Sequence, residues 1–266
     1  MRPLTIRSTL TSIIRHRELV WEMAVRDLKG MTKGATLGYM WILLRPLIQT
    51  AAYVVIVSYV FGSRSAREGT TIAYVMYVLS GMISWQMVSR AIEEAPTLIR
   101  NRMDLVKQVI YPVETLPLTS LIVGSVGAAG SLIVFLSISM LNGTMQLSWA
   151  LLPLPAGLLI CFTLGLSWCF MIAGTLVKDL REINGIMIGL LVYVSPVVVS
   201  EGMVGRELWT VVQWNPLSHV VICFRDVLQG EWHPVSWAIY VTMTALALAA
   251  GSAVVTRMKV AVNEYI

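Results

Sequence analysis

The chain reads as an all-α membrane protein of six transmembrane helices, and three observations predict that class. Of its 266 residues, 56% are hydrophobic and only 13% charged, against about 25% charged in soluble domains. The apolar residues gather in long runs, each near the roughly 20 residues that a helix needs to cross a bilayer. Those runs carry a single charge, Arg45, followed by Pro46. A soluble fold of this size cannot bury so much apolar surface and still cover itself with polar groups. Composition therefore excludes an ordinary cytosolic enzyme, a disordered chain and a secreted disulfide scaffold. The length suits one transmembrane domain, 1–266.

From 8 to 30 the sequence has a helical period. Leu10, Ile13, Ile14, Trp21, Ala24, Val25 and Leu28 share one face, while Arg15, Glu18, Glu22, Arg26 and Lys29 lie mostly on the other. Ser8 and Thr9 are candidate N-caps. A basic amphipathic helix ahead of a span lies flat in the inner headgroup region, as an anchor or as a partner-binding element. It does not read as a signal peptide, lacking a continuous apolar core and a small-residue cleavage site. The spans are expected at about 38–61, 71–89, 115–141, 149–177, 184–200 and 234–255, the fifth short and interrupted by Pro196. Six spans leave both termini on one side. If that side is the cytoplasm, only Arg64, Arg67, Arg206 and Arg225 of the 20 Lys and Arg residues fall outside, so both termini are predicted cytoplasmic. This asymmetry explains the pI near 9.2 without nucleic acid as a partner.

Three connecting segments stand out. The cytoplasmic loop 97–113 sits in a charge-dense stretch with Glu93, Glu94, Arg100, Arg102, Asp104, Lys107 and Glu114. Pro96 and Pro112 bracket it, and Leu98, Ile99, Met103, Val106 and Ile110 recur at helical spacing, which suits a short surface helix for a partner's groove or a solvated connector. The sequence KDLRE at 178–182 suffices for one turn against a cytoplasmic surface. In the outer segment 201–233, Asn215 suits an N-cap and Pro216 the first helical position. Leu217, Val220, Val221, Phe224, Val227 and Leu228 then form a stripe ending at Gly230, with Arg225 and Asp226 off it. Such a helix is amphipathic and too short to span, so it lies at the outer face or re-enters the bilayer partway.

The usual catalytic patterns are missing. His16, His219 and His233 lie at or outside the span boundaries, and no HExxH, GxSxG or GxxxxGK[ST] occurs. Cys161, Cys169 and Cys223 have no metal or disulfide spacing and read as apolar filler. With no phosphate loop and no intramembrane ionisable residue besides Arg45, the chain is expected to take its energy from another subunit through the charged loops. Trp41, Trp85 and Trp149 suit interfacial anchors. Tyr53 and Tyr193 lie nearer mid-span, where a phenol needs a hydrogen-bond partner or a polar path. Aromatic faces also suit sugar rings.

Four stretches, in order along nearly the whole chain, carry a family resemblance: RDLKGMTKGATLGYMWILLRPL at 26–47, NRMDLVKQVIYPVETLPL at 101–118, KDLREINGIMIGLLVYVSP at 178–196 and WNPLSHVVICFRDVLQGEW at 214–232. Together they resemble the permease subunits of type-2 ABC exporters, in the branch that exports O-antigen and teichoic acid-type polysaccharides on a polyprenyl lipid. Arg45 and Gln108 depart from the pattern, which has an uncharged polar residue at the first place and a second Lys at the second. The resemblance implies a homodimer with two copies of a separate cytoplasmic ATP-binding subunit, which holds ATP and Mg. This chain would then carry no cofactor, no metal and no catalytic residue, and would sit in the bacterial inner membrane. Arg100, Asn101, Asp104, Leu105, Lys107, Asp179, Arg181 and Glu182 would couple the ATPase to the spans. Arg26, Lys29, Lys33, Tyr39 and Arg45 would meet the lipid pyrophosphate. Tyr53, Tyr59, Tyr74, Tyr77 and Tyr193 would line the polymer path, and Trp214, Asn215, Pro216, His219 and Arg225 would form re-entrant outer gate helices.

Competing readings share parts of this pattern. A type-2 exporter of a capsule polysaccharide, or of a small amphiphile or drug, has the same fold and coupling. A membrane-embedded enzyme acting on lipid-linked sugars needs a surface carboxylate or His, for which Glu93, Glu94, Glu201 and Glu207 are the clustered candidates.

Overall fold

The structure is a computed structural model describing residues 15–32, 71–103 and 112–264, with 36–38, 40–41, 44, 47–49, 51–52 and 55 between the first two stretches. Most of the expected first span 38–61 lies outside the described residues, as do residues 8–14 of the expected amphipathic helix. Regular structure among the described residues is all helical: α1 Arg17–Thr32, α2 Thr71–Glu94, α3 Leu116–Leu141, α4 Pro153–Leu176, α5 Leu180–Leu191, α6 Glu201–Trp214, α7 Pro216–Gln229 and α8 Pro234–Glu264. Short 3-10 turns at Ala95–Thr97, Arg100–Arg102, Val113–Thr115, Leu147–Leu151 and Val192–Val194 join them.

Among the described residues, four segments are long and apolar enough to cross a bilayer: Ile72–Thr97, Val113–Leu141, Pro153–Leu176 and Pro234–Met258. They fall where the second, third, fourth and sixth spans are expected. Prolines open α3, α4 and α7, at first-turn positions whose N–H has no helical partner. The region of the fifth expected span is different. Its helix α5 has 12 residues, then one 3-10 turn, and Ser195 is extended before Pro196. Proline at 196 disfavours a helical conformation at 195 and lacks the N–H that would continue the ladder.

Helix directions follow from the contacts. Gln86 Nε2 donates to Ser131 Oγ at 3.1 Å and Ser120 Oγ to Glu94 Oε2 at 2.5 Å, so α2 and α3 are antiparallel. Asn184 Nδ2 donates to the Ile92 carbonyl at 2.8 Å and Tyr74 Oη to the Val198 carbonyl at 3.0 Å, so the 180–200 segment also opposes α2. α4 and α8 run side by side in one direction. The Tyr240 hydroxyl reaches the Pro155 carbonyl at 3.3 Å, and a Cβ on Gly165 would sit 2.5 Å from the Ala247 carbonyl carbon. Glycine there lets the two backbones touch.

The bundle thus has two ends. One carries the charged turns 95–102, Val113–Thr115 and the start of α5. The other carries the start of α2, residues 195–200, α6, α7 and the Leu147–Leu151 turn. A core of Met82, Phe135, Phe162, Phe224 and Tyr240 fills the bundle. A second cluster around Leu98, Leu116, Trp168 and Met171 seals the charged end, where Trp168 Nε1 donates to the Glu114 carbonyl at 3.0 Å.

The buried face of α1 is turned slightly from the expected one: Ala24 belongs to both, and Val25 and Leu28 are half-buried. Val20, Met23 and Ala24 are buried, whereas Trp21 is 62% exposed. The buried stripe, continued by Asp27, packs α1 onto α3. Tertiary contact has selected the neighbouring face, leaving Trp21 outward.

Candidate functional site

At the charged end, the turn Ala95–Thr97 packs against both α4 and α5, so the two predicted coupling segments share a platform. Asn101 Nδ2 donates to Thr97 Oγ1 at 3.3 Å, anchoring the exposed Arg100–Asn101 pair to that turn. Asp179, Arg181 and Glu182 are exposed at the start of α5. Arg181 lies within electrostatic reach of Glu93. Arg102 donates to Thr119 Oγ1 at 2.8 Å and pairs with Asp27, clamping α1 and the loop onto α3. Arg26 and Lys29 are exposed on α1. The other predicted members, Asp104, Leu105, Lys107, Lys33, Tyr39, Arg45, Tyr53 and Tyr59, lie outside the described residues.

The opposite end is organised by α7. Asn215 caps it as its sequence predicts, accepting the Leu217 N–H at 3.1 Å, and Gly230 closes it in the left-handed region at φ 77°. Ser148 Oγ and Trp149 Nε1 donate to the Val227 and Leu228 carbonyls, at 2.7 and 3.0 Å. These satisfy acceptors that a helix C-terminus leaves open. The amphipathic helix expected at the outer face or partway into the bilayer has no exposed polar face: every residue from Leu217 to Leu228 is buried, including Arg225 at 5% exposure and Asp226 at 1%.

A buried guanidinium is tolerated only when its donors are met, and Arg225 meets them with distant backbone. It donates to the Pro196 carbonyl at 2.5 Å, the Tyr77 carbonyl at 3.3 Å and Ser80 Oγ at 3.4 Å, and lies 3.5 Å over the Tyr77 ring. Arg225 thereby ties α7 to α2 and to the Pro196 break. Gly81 makes room, because a Cβ there would stand 2.9 Å from Val197 Cα. Tyr74 and Tyr77 stack at 6.4 Å and donate their hydroxyls to the Val198 and Val199 carbonyls, at 3.0 and 2.9 Å. These two phenols hold the 195–200 segment. Tyr193 is about half exposed.

Beyond α7 lies a cleft of about 480 Å³. Gln213, Trp214, His219, Trp232, His233 and Ser236 are among its lining residues. His219 Nδ1 lies 3.2 Å from Ser236 Oγ, and burial pulls the His219 pKa below its ordinary value. α7 has 14 residues, about 21 Å of helix at 1.5 Å per residue, too short to cross a bilayer. Asp226, Glu231 and His233 bring three ligand atoms within 4.8 Å. Asp226 Oδ1 and His233 Nδ1 are 2.6 Å apart, a hydrogen bond rather than two metal ligands, so the cluster fits a carboxylate–imidazole pair.

The sequence reading missed Asp27, Ser80, Asn184, Asp226 and Trp237 as organising residues. For Asp226 the signal was a carboxylate seven positions before His233. For Ser80 and Asp27 no sequence signal separates them from ordinary helix residues.

Long apolar helices, a buried non-spanning helix and exposed charged turns at the far end are the architecture of a multi-pass membrane protein. The chain belongs to the ABC-2 type transporter family, whose profile matches residues 18–228. It is therefore a transport subunit rather than an enzyme, a multi-pass protein of the bacterial inner membrane, and its family implies an ATP-binding partner. An O-antigen export system permease protein, RfbA of Klebsiella pneumoniae, is 24% identical over 208 residues, covering 77% of this chain and 78% of that protein. The polysialic acid transport protein KpsM of Escherichia coli is 24% identical over 206 residues, with the same coverage of 77% and 78%. RfbA of Myxococcus xanthus is 24% identical over 187 residues, covering 70% of this chain and 69% of that protein.

Proposed function

We propose that this chain is the membrane-spanning half of an ATP-driven exporter that moves a polyprenyl-pyrophosphate-linked, O-antigen-like polysaccharide across the inner membrane. In this reading the charged end is cytoplasmic, and two copies of the chain bind two copies of a separate ATP-binding subunit. The observation that carries it is the shared platform at the charged end. The turn Ala95–Thr97 packs on α5, so a push on either exposed segment reaches α2, α4 and α5 together. Arg26 and Lys29, exposed on α1, supply cations suited to a pyrophosphate at the inner boundary.

The test is co-purification with the ATPase encoded beside it, followed by ATP hydrolysis in lipid nanodiscs. Asp104→Ala with Lys107→Ala, or Arg181→Ala with Glu182→Ala, should lose binding or coupled hydrolysis. An ATPase that never associates would refute the coupling. A capsule polysaccharide is the second reading, favoured by the similarity to the polysialic acid transport protein. Analysing which surface glycan disappears in a deletion strain separates the two, and a strain that loses neither refutes both.

A further inference from the structure

The cleft beyond α7 has the construction of a ligand site. Its volume of about 480 Å³ falls within the roughly 300–1,000 Å³ of small-ligand pockets. It opens where α6 ends and α8 begins, and the apolar segment Pro234–Met258 starts there. The cleft therefore lies at a membrane boundary, within reach of water.

Its walls are held from behind. Asp226, 1% exposed, accepts three hydrogen bonds: from the His233 backbone N–H at 2.9 Å, from Trp237 Nε1 at 2.9 Å and from His233 Nδ1 at 2.6 Å. The carboxylate fixes the imidazole ring and keeps the proton on Nδ1, which leaves Nε2 for a ligand hydroxyl. Trp237, itself buried, stacks on Trp232 at 5.2 Å with 24° between the rings. Trp232 is 61% exposed, so one face is backed and the other is available to the cleft. Trp214, 83% exposed, contributes a second ring. Backed in this way, the Trp232 ring is pre-positioned, which lowers the ordering cost of binding.

This donor set specifies a chemistry. Indole faces pack on the C–H faces of a sugar ring, while an imidazole nitrogen, the Gln213 amide and the Ser236 hydroxyl serve its hydroxyl groups. Among the described residues the lining has no Lys or Arg, so these walls offer none of the charge-assisted donors that a phosphate or carboxylate headgroup would recruit. We propose that this cleft is a saccharide subsite, one per chain, which holds a short neutral segment of the glycan at the far side of the membrane. This rests on the polysaccharide reading above.

The test uses the full chain in lipid nanodiscs and, as probe, the soluble glycan released by mild acid from the surface of the producing strain. Binding is read by saturation-transfer NMR and by titration of tryptophan fluorescence. Wild type should bind saturably, Trp232→Ala at least tenfold more weakly and His233→Gln at least threefold more weakly. Trp21→Ala, at the other end of the bundle, should bind as wild type. Should Trp232→Ala fail to fold, Trp232→Phe and His233→Gln carry the comparison. Wild-type affinity in folded cleft variants would overturn the subsite, as would no binding by wild type, and the indoles would then be membrane-boundary anchors. Deleting the gene in the producing strain separates the two layers. An intact surface glycan overturns the exporter reading, whereas a lost glycan with unaltered binding by Trp232→Ala overturns the cleft alone.

Discussion

Replacing Arg225 by alanine removes a side chain that bonds α7 to α2 and to the Pro196 break at once. The guanidinium donates to the Pro196 and Tyr77 carbonyls at 2.5 and 3.3 Å and covers the Tyr77 ring at 3.5 Å. Each acceptor left unpaired in the interior costs about 1–3 kcal/mol, and a desolvated cation–π contact is worth about 2 kcal/mol. Removing the buried cation returns its own desolvation cost, so the net loss should be about 3–5 kcal/mol. At about 2–4 °C per kcal/mol for a chain of this size, the unfolding midpoint should fall by roughly 6–20 °C. The assay is thermal unfolding of nanodisc-embedded protein followed by near-ultraviolet circular dichroism. Arg225→Lys should recover part of the loss, since an ammonium keeps the charge but cannot serve two carbonyls and a ring in one plane. A drop below about 3 °C for Arg225→Ala would refute the reasoning, because the site would then be hydrated rather than sealed by the guanidinium.

Three further outcomes follow from the same geometry. Gly81→Ala puts a Cβ 2.9 Å from Val197 Cα and should cost about 1–3 kcal/mol by overpacking; Gly127→Ala, whose nearest contact is Gln86 Oε1 at 3.5 Å, should be tolerated in the same melt. Trp149→Phe keeps an aromatic ring against Phe135 but loses the bond to the Leu228 carbonyl, for a loss of about 1 kcal/mol. His219 supplies a pH dependence, because burial holds its pKa below the ordinary 6.5. Below that pH the unfolded chain takes up a proton that the folded residue declines, so the unfolded state gains stability and the fold weakens as pH falls. His219→Gln should flatten that acid limb in melts recorded from pH 7.5 to 5.

Much of the architecture was legible because bilayer crossing depends on length and polarity alone. The apolar runs at 71–89, 115–141, 149–177 and 234–255 each coincide with a helix able to span. The caps of α7 were equally legible. Asn215 acts through a side chain that reaches two residues ahead, and Pro216 and Gly230 act through their own backbone geometry, all within four residues of where they stand. The candidate site was less so. Arg225 and Asp226 sit off the apolar stripe, and by period alone they belong to a wet face. The acceptors that the Tyr74 and Tyr77 hydroxyls meet, at Val198 and Val199, lie more than 120 residues away along the chain.

On α1 the contrast falls within a single helix. The helical period of 17–32 follows from the alternation of polar and apolar side chains, but which stripe is buried depended on Asp27 meeting Arg102 across 75 residues. The sequence by itself determined that the chain is helical, that it crosses a membrane and where most crossings run. Each of those depends on free energies summed over neighbouring residues in a uniform solvent. Only the tertiary structure decided where the buried polar atoms find partners, because a hydrogen bond is directional and short-ranged. The carbonyls that receive Arg225 exist as a site only once α2, α7 and the break at Pro196 have come together.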